Sequence, residues 1–446
     1  MSKNTVLEEV NNLSEKLSNS FNVRFDDSIK FNDIIKIQKS DDYIDTLKKE
    51  LESYKKNFEK DAFYLFYSGF NLKEDVEKNC KSVQKISELL MDGVNDEKNK
   101  YYNEAKDKMK KLLKKYIGNK FILGEIDKNY AFRGSGSDKE LCDTKELHEI
   151  MNRSKLIFYR SRVDKNKKTF NKFSEITSLS NSNKKYASSG RFSKKEVPCL
   201  YLSLSSYASF LEVGNKNNFE EIYTSAFKFN EIGLKKVKVL NLAISEELLN
   251  GIFIAGHDHN MKDTKLKNYL KELKISLLKI APLLIASNFR ITDKNDKFYE
   301  YLFSQCIIES LSELGDEENI YGVAYISKRE DGKAVYPYCI NLAIPINDLD
   351  EKEEFGKLYK YIDMTGPVLN KYSIDNYGKI EEKRKPFIEE TFFDDSDEKP
   401  QSSNNKELYD FHSDKFINYK NTDYYKVDYY LANIEMTNAM EVLKSE

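Results

Sequence analysis

Three residues carry the first hint of chemistry: Arg191, Tyr201 and Glu212, spaced ten and eleven apart in GRFSKKEVPCLYLSLSSYASFLEV, Gly190 to Val213. A planar guanidinium pairs bidentately with phosphate oxygens. A tyrosine ring beside a flat cationic ring contributes about 0.5–2 kcal/mol. One carboxylate stabilises positive charge. The set suits holding an anionic nucleotide and stabilising positive charge.

The local elements that must position these groups are legible. Arg191 follows a glycine in a polar turn. Tyr201 lies in the apolar run Cys199 to Leu204, which reads as a buried strand. Glu212 falls near the end of a short helix starting at Ser205 or Ser206, both good N-caps. Tyr207, Phe210 and Leu211 form its packed face, and Glu212 sits off it. Upstream, LIFYRSRV (Leu156 to Val163) reads as a strand whose period of two puts Arg160 and Arg162 on one face, Tyr159 and Ser161 on the other. Downstream, Ser327 in YGVAYISKR has neither a neighbouring His nor a G-x-S-x-G frame, so its hydroxyl is read as a ligand hydrogen bonder, not a nucleophile. His257, Asp258 and His259 in GHDHN lack a third ligand at a usual spacing, and no metal is expected. RGSGSDKE, Arg133 to Glu140, lacks the strand and lysine of a phosphate-binding loop.

The three segments LIFYRSRV, GRFSKKEVPCLYLSLSSYASFLEV and YGVAYISKR, in this order, resemble the RES-domain toxins, a family related to ADP-ribosyltransferases. The resemblance covers about residues 153–345. Ser193 stands where the family has Asn, and Glu196 about where Gly is common, which bears on the geometry of the loop. The resemblance implies an α+β fold with an ADP-ribosyltransferase-like split β-sheet. It implies NAD+ as substrate, no further cofactor, and cleavage of the nicotinamide–ribose bond with water or inorganic phosphate as acceptor. It assigns catalytic roles to Glu212, Arg191, Tyr201 and Ser327, and NAD+ holding to Arg160, Arg162, Tyr201 and Ser327. Arg160 matches the family's first arginine, with Arg162 a close alternative. The partners it implies are a cognate antitoxin or an infection-derived trigger, in the setting of a toxin–antitoxin or phage-defence system. A homo-oligomer is left open. Two other readings stand beside it: a protein ADP-ribosyltransferase, and a non-enzymatic interaction protein with a degenerate domain of this kind.

Composition sets the frame. At 446 residues two or three domains are expected. With 72 basic against 74 acidic residues, overall charge argues against a dedicated nucleic-acid binder. The five cysteines are far apart and odd in number, suiting a reducing cytoplasm and small buried side chains. The opening MSKNTVLEEVNN lacks an apolar h-region, so no secretory signal is expected. The apolar run Ile275 to Ala286 contains Lys279 and Pro282 and is too short to span a bilayer.

Four segments follow. Residues 1–125 show helical stripes, including Leu7, Val10, Leu13 and Leu17 and the basic MKKLLKKYIGNK, whose Leu112, Leu113 and Tyr116 are expected to pack inward. Such an extension is described as HEPN-like in some RES-type proteins, but no His precedes His148, so no nuclease is implied. It is expected to modulate activity without performing the chemistry. Residues 126–152 read as a connector and 153–348 as the catalytic domain, with FNKFSEITSLSNSNKKYASSG a loop over the site. Residues 349–446 form a polar extension whose acidic, Ser/Asn-rich stretch near 393–407 is expected to be disordered.

Overall fold

Leucines and aromatics at three- and four-residue spacing produce three helices before the sheet begins: α1 Ser40–Lys60, α2 Leu72–Asp92 and α3 Lys100–Lys114. The computed structural model describes residues 36–37, 40–60, 72–95, 100–132, 156–163, 169–214, 218–244, 264–291, 299–315, 319–329, 337–346, 354–392, 407–411 and 413–446. The Leu7–Leu17 stripe, RGSGSDKE, GHDHN and most of the acidic stretch near 393–407 lie outside these residues.

Fourteen strands follow in chain order among the described residues: β1 Lys36–Ile37, β2 Leu123–Glu125, β3 Ile157–Arg162, β4 Cys199–Ser203, β5 Tyr223–Phe229, β6 Val237–Leu242, β7 Arg290–Ile291, β8 Ile320–Ile326, β9 Ile340–Pro345, β10 Ile362–Met364, β11 Val368–Leu369, β12 Glu407–Asp410, β13 Lys415–Asn418 and β14 Thr437–Asn438. The later helices are α4 Ser206–Val213, α5 Glu231–Lys236, α6 Thr264–Ser287, α7 Tyr299–Leu314, α8 Asn370–Asn376, α9 Phe387–Phe392, α10 Asp423–Asn433 and α11 Ala439–Ser445. The fold is mixed α and β, built on a ten-stranded sheet in the order β14-β10-β5-β3-β4-β9-β8-β6-β2, with β11 also paired to β5. All these pairs are antiparallel except β6 with β8. That parallel pair requires a long crossover, which α6 and α7 supply.

The sheet is uneven at its centre. β3 pairs with β5 over six residues, but with β4 only at Tyr159 opposite Ser203. The two five-stranded halves therefore part between β3 and β4, and α4 packs against both edges. The sheet also draws strands from beyond the central segment, β2 before it and β10, β11 and β14 after it.

One core joins the early helices to the crossover. Tyr43, Leu47 and Tyr54 of α1, Val83 and Ile86 of α2 and Met109 and Leu112 of α3 are buried with Leu277 and Ile280 of α6, Phe303 and Ile307 of α7, and Leu240 and Val323 of the sheet. Tyr116 is buried as well, so the basic helix end turns its apolar side inward. Pro282 explains part of this packing. Without an N–H it leaves the Leu278 carbonyl unpaired inside α6. Tyr54 Oη donates to that carbonyl at 2.7 Å, and Asn79 Nδ2 to the Lys279 carbonyl at 3.0 Å. No helix among the described residues is long and apolar enough to cross a membrane.

Candidate functional site

Glu212 is reached by building outward from α4. Ser205 caps this helix, its hydroxyl accepting from Ala208 N at 3.0 Å. Tyr207, Phe210 and Leu211 are buried, which leaves Glu212 in the last turn pointing away from that face. Its Oε1 accepts from Ser327 Oγ and from Asn341 Nδ2, both at 2.7 Å. Its Oε2 lies 3.5 Å from Arg329 Nε. The Glu212 side chain is 31% exposed, so one side of the carboxylate remains reachable.

Three remote segments thus converge on one carboxylate. Ser327 follows β8, with its N–H on the Cys339 carbonyl at 2.9 Å. Asn341 lies in β9, and its Oδ1 accepts from Ser203 Oγ of β4 at 2.7 Å. A carboxylate cannot donate, so the Asn341 amide must face Glu212 and its carbonyl must face Ser203. Asn341 stands opposite both Ser203 and Tyr325, so strand register alone places this row beside Glu212.

The expected site residues fall into three groups. Glu212 and Ser327 are in direct contact. Tyr201 is close enough that the Glu212 charge, after burial and the neighbouring Cys199 and Tyr325, helps push its phenol well above the ordinary range. Its hydroxyl is buried beside Ser193 without a well-formed hydrogen bond. The residue as a whole is partly buried.

Arg160 and Arg162 form the second group. They share a face of β3, while Tyr159 and Ser161 serve the other, as the period of two requires: Tyr159 Oη donates to the Asp428 carbonyl and Ser161 Oγ pairs with Thr224 Oγ1. Arg160 Nη1 donates to the Tyr201 carbonyl at 2.8 Å, across the gap where β3 and β4 part. Its Nε is buried without a hydrogen-bond partner among the described residues. Arg162 Nη2 donates to the Thr177 carbonyl at 2.7 Å. Burial holds the Arg160 guanidinium below its usual range; burial and then Arg160 push Arg162 down to about 9. No carboxylate of a described residue forms an ion pair with either. Two adjacent, poorly hydrated cations without a counter-charge favour an anion.

Arg191 is apart from Glu212. It donates from Nη2 to the Phe289 carbonyl at 3.1 Å and lies 5.6 Å from the centre of the Tyr301 ring. With Phe192, Tyr325, Asn288 and Lys328 it lines a small open pocket between the sheet and the end of α6. Tyr325 joins the two places: after burial, the Glu212 charge raises its phenol and Arg191 opposes the rise.

Close contacts and local backbone fix the glycine–arginine turn. A Cβ on Gly190 would come within 2.8 Å of Ser193 Oγ and 3.1 Å of Tyr201 Oη, so a side chain has no room there. Gln305 of α7 holds the turn through Ser189 Oγ at 2.7 Å and the Gly190 carbonyl at 2.9 Å. Glu196 takes φ of 66°, in the left-handed region that glycine adopts most easily. The middle of the stretch expected as a mobile loop over the site is anchored in the fold, with Ile176, Thr177 and Ser178 buried and Ser178 N donating to Tyr359 Oη at 2.9 Å, while residues 182–186 are exposed.

Asn341, Arg329 and Gln305 were not singled out by sequence reasoning. A signal existed for Asn341, the one amide in the otherwise apolar run CINLAIP. Arg329 closes the YGVAYISKR segment without having been given a role there, and nothing in the sequence marks Gln305, because their partners come from other elements. No group of three or more His, Cys, Asp or Glu able to hold a metal occurs among the described residues. The thiols of Cys80, Cys199 and Cys306 are pushed up to about 12, chiefly by desolvation, so they are unsuited to nucleophilic work. Comparison with protein-family models, curated proteins and solved structures finds no match.

Proposed function

We propose that this protein is an NAD+-consuming enzyme that breaks the nicotinamide–ribose bond and passes the ADP-ribosyl group to water or inorganic phosphate. The observation that carries the proposal is the Glu212 carboxylate, fixed by Ser327 and Asn341 yet open on one side. Nicotinamide leaves without a general acid because its ring nitrogen begins cationic. The remaining demand is stabilisation of an oxocarbenium-like sugar, which a fixed carboxylate meets with several kcal/mol. Ser327 and Asn341 hold that charge in one place before substrate arrives, so little reorganisation is required. Arg160 and Arg162 are assigned to the pyrophosphate. Arg191, which lines the neighbouring pocket, is assigned to binding one end of the dinucleotide.

On this reading the divided sheet is an ADP-ribosyltransferase-like core of the RES-domain kind. The protein acts in the cytoplasm as a toxin restrained by an antitoxin or released by an infection-derived trigger. The direct test is incubation of full-length protein with NAD+, with and without phosphate, and mass analysis of the products. Free nicotinamide with ADP-ribose or its phosphorylated form supports the proposal. A mass increase on protein shifts it to a protein ADP-ribosyltransferase, and intact NAD+ overturns it.

The arginines give a separable prediction. Arg160→Met keeps the buried stem and removes an uncompensated charge, so melting temperature is expected to stay level or rise. NAD+ KM is expected to rise at least about tenfold, since a charge-assisted contact to phosphate contributes about 1.5–3 kcal/mol. Arg162→Met is expected to do the same to a smaller degree. Steady-state kinetics alongside thermal melts decide this; unchanged KM in both variants removes the pyrophosphate from this face of β3.

A further inference from the structure

We infer that Asp428, on α10, is a positioning residue for Glu212: its carboxylate caps the N-terminus of the helix whose last turn carries Glu212. The inference rests on the NAD+ reading for its kinetic consequence and on geometry for its cause.

α4 is a rod of eight residues, so displacement at its start is transmitted to its end. Its first-turn N–H groups, which have no partner within the helix, take two acceptors. Ala208 N donates to Ser205 Oγ, and Ser206 N donates to Asp428 Oδ1 at 2.9 Å. The other Asp428 oxygen accepts from Tyr419 Oη at 2.6 Å. Ser206 Oγ donates to the Tyr424 carbonyl at 3.2 Å, and the Tyr424 ring lies 5.0 Å from that of Tyr207. The Asp428 carbonyl accepts from Tyr159 Oη of β3. One turn of α10 therefore holds the start of α4 and an edge of the divided sheet together.

Asp428 is fully buried and no cation of a described residue pairs with it. Its charge is met by the helix dipole, by Ser206 N–H and by Tyr419. The titratable groups facing it are Tyr419 and Tyr159, both pushed well above neutrality and so uncharged there. Burial raises the carboxyl to about 7. An unfolded aspartate titrates near about 4. Between these values the folded state binds the extra proton, so stability falls as pH rises from about 4 to about 7 and stays lower above. The ionised carboxylate thus costs stability at pH 8 while making the stronger cap.

Asp428→Asn separates the two effects. Its Oδ1 can still accept from Ser206 N, and its amide can donate to Tyr419 Oη, so the shape survives without the charge. The experiment measures NAD+ turnover of the full-length proteins from about pH 5.5 to about pH 8.5, thermal melts at both ends, and hydrogen exchange of amides 206–213. Wild-type kcat is expected to rise through a midpoint near 7. The variant is expected to lack that step and to run about tenfold slower at high pH with KM unchanged. It should melt at the same or a higher temperature at about pH 8, with faster exchange along 206–213. Wild-type kcat with the wild-type pH profile in the variant overturns the inference, as does a fall of kcat that merely follows a fall in melting temperature. If wild-type protein leaves NAD+ intact, the NAD+ reading fails and exchange decides the rest: faster exchange at 206–213 in the variant supports the capping role, and unchanged exchange overturns it.

Discussion

Glu212→Gln is expected to abolish NAD+ cleavage, lowering kcat by at least about 10²-fold, while the protein stays folded and binds NAD+. The amide is nearly isosteric. Its Oε1 can accept from Ser327 Oγ and Asn341 Nδ2 as the carboxylate does. What changes is the second atom: an N–H replaces the oxygen facing Arg329 Nε, and the negative charge beside the developing cation is gone. Losing the exposed Arg329 pair should barely affect stability, since such surface pairs contribute about 0–1 kcal/mol. Product analysis, thermal melting and NAD+ titration of the same preparation separate chemistry from folding and binding. Near-wild-type turnover by a folded variant would remove Glu212 from the mechanism.

Deleting residues 1–122 is expected to prevent folding, not to release an active catalytic domain. The deletion uncovers Leu277 and Ile280 of α6 and Phe303 and Ile307 of α7, all fully buried. Each such side chain contributes about 1.5–3 kcal/mol when buried, against a net stability of about 5–15 kcal/mol. The Leu278 and Lys279 carbonyls lose Tyr54 and Asn79 next to Pro282. The cut also reaches the base of β2, which closes one end of the sheet beside β6. Circular dichroism and light scattering of the truncated protein are expected to show loss of structure or aggregation, with no NAD+ turnover. A monodisperse, helical truncation would show that the early helices form a separable unit.

This second expectation departs from the leading sequence reading, in which the early helices modulate and the later segments keep the site if they fold, and agrees with its alternative, in which those helices cover an apolar face. Amphipathic periodicity shows that α1, α2 and α3 have a face to bury, not what buries it. Their partner is the helical crossover between β6 and β8, more than a hundred residues away, and Pro282 acquires its meaning only beside Tyr54.

What the sequence determined by itself is local. The spacing from Cys199 to Val213 specifies a strand, a cap at Ser205 or Ser206 and a short helix with Glu212 off its packed face; the structure chooses Ser205. The period of two in LIFYRSRV puts Arg160 and Arg162 together. A polar residue set in an apolar strand, Asn341, was readable as a signal, although it was not used. These features depend on residues within a few positions of one another, where backbone geometry alone decides the facing. The tertiary structure decided the rest. Strand register brings Ser203, Asn341 and Tyr325 into one row and delivers Ser327 to Glu212. The gap between β3 and β4 lets Arg160 reach the Tyr201 carbonyl. Docking of α10 places Asp428 on the start of α4. Those pairings join residues far apart in the chain. They are fixed by how two halves of a sheet and three groups of helices share buried surface, which no window of sequence contains.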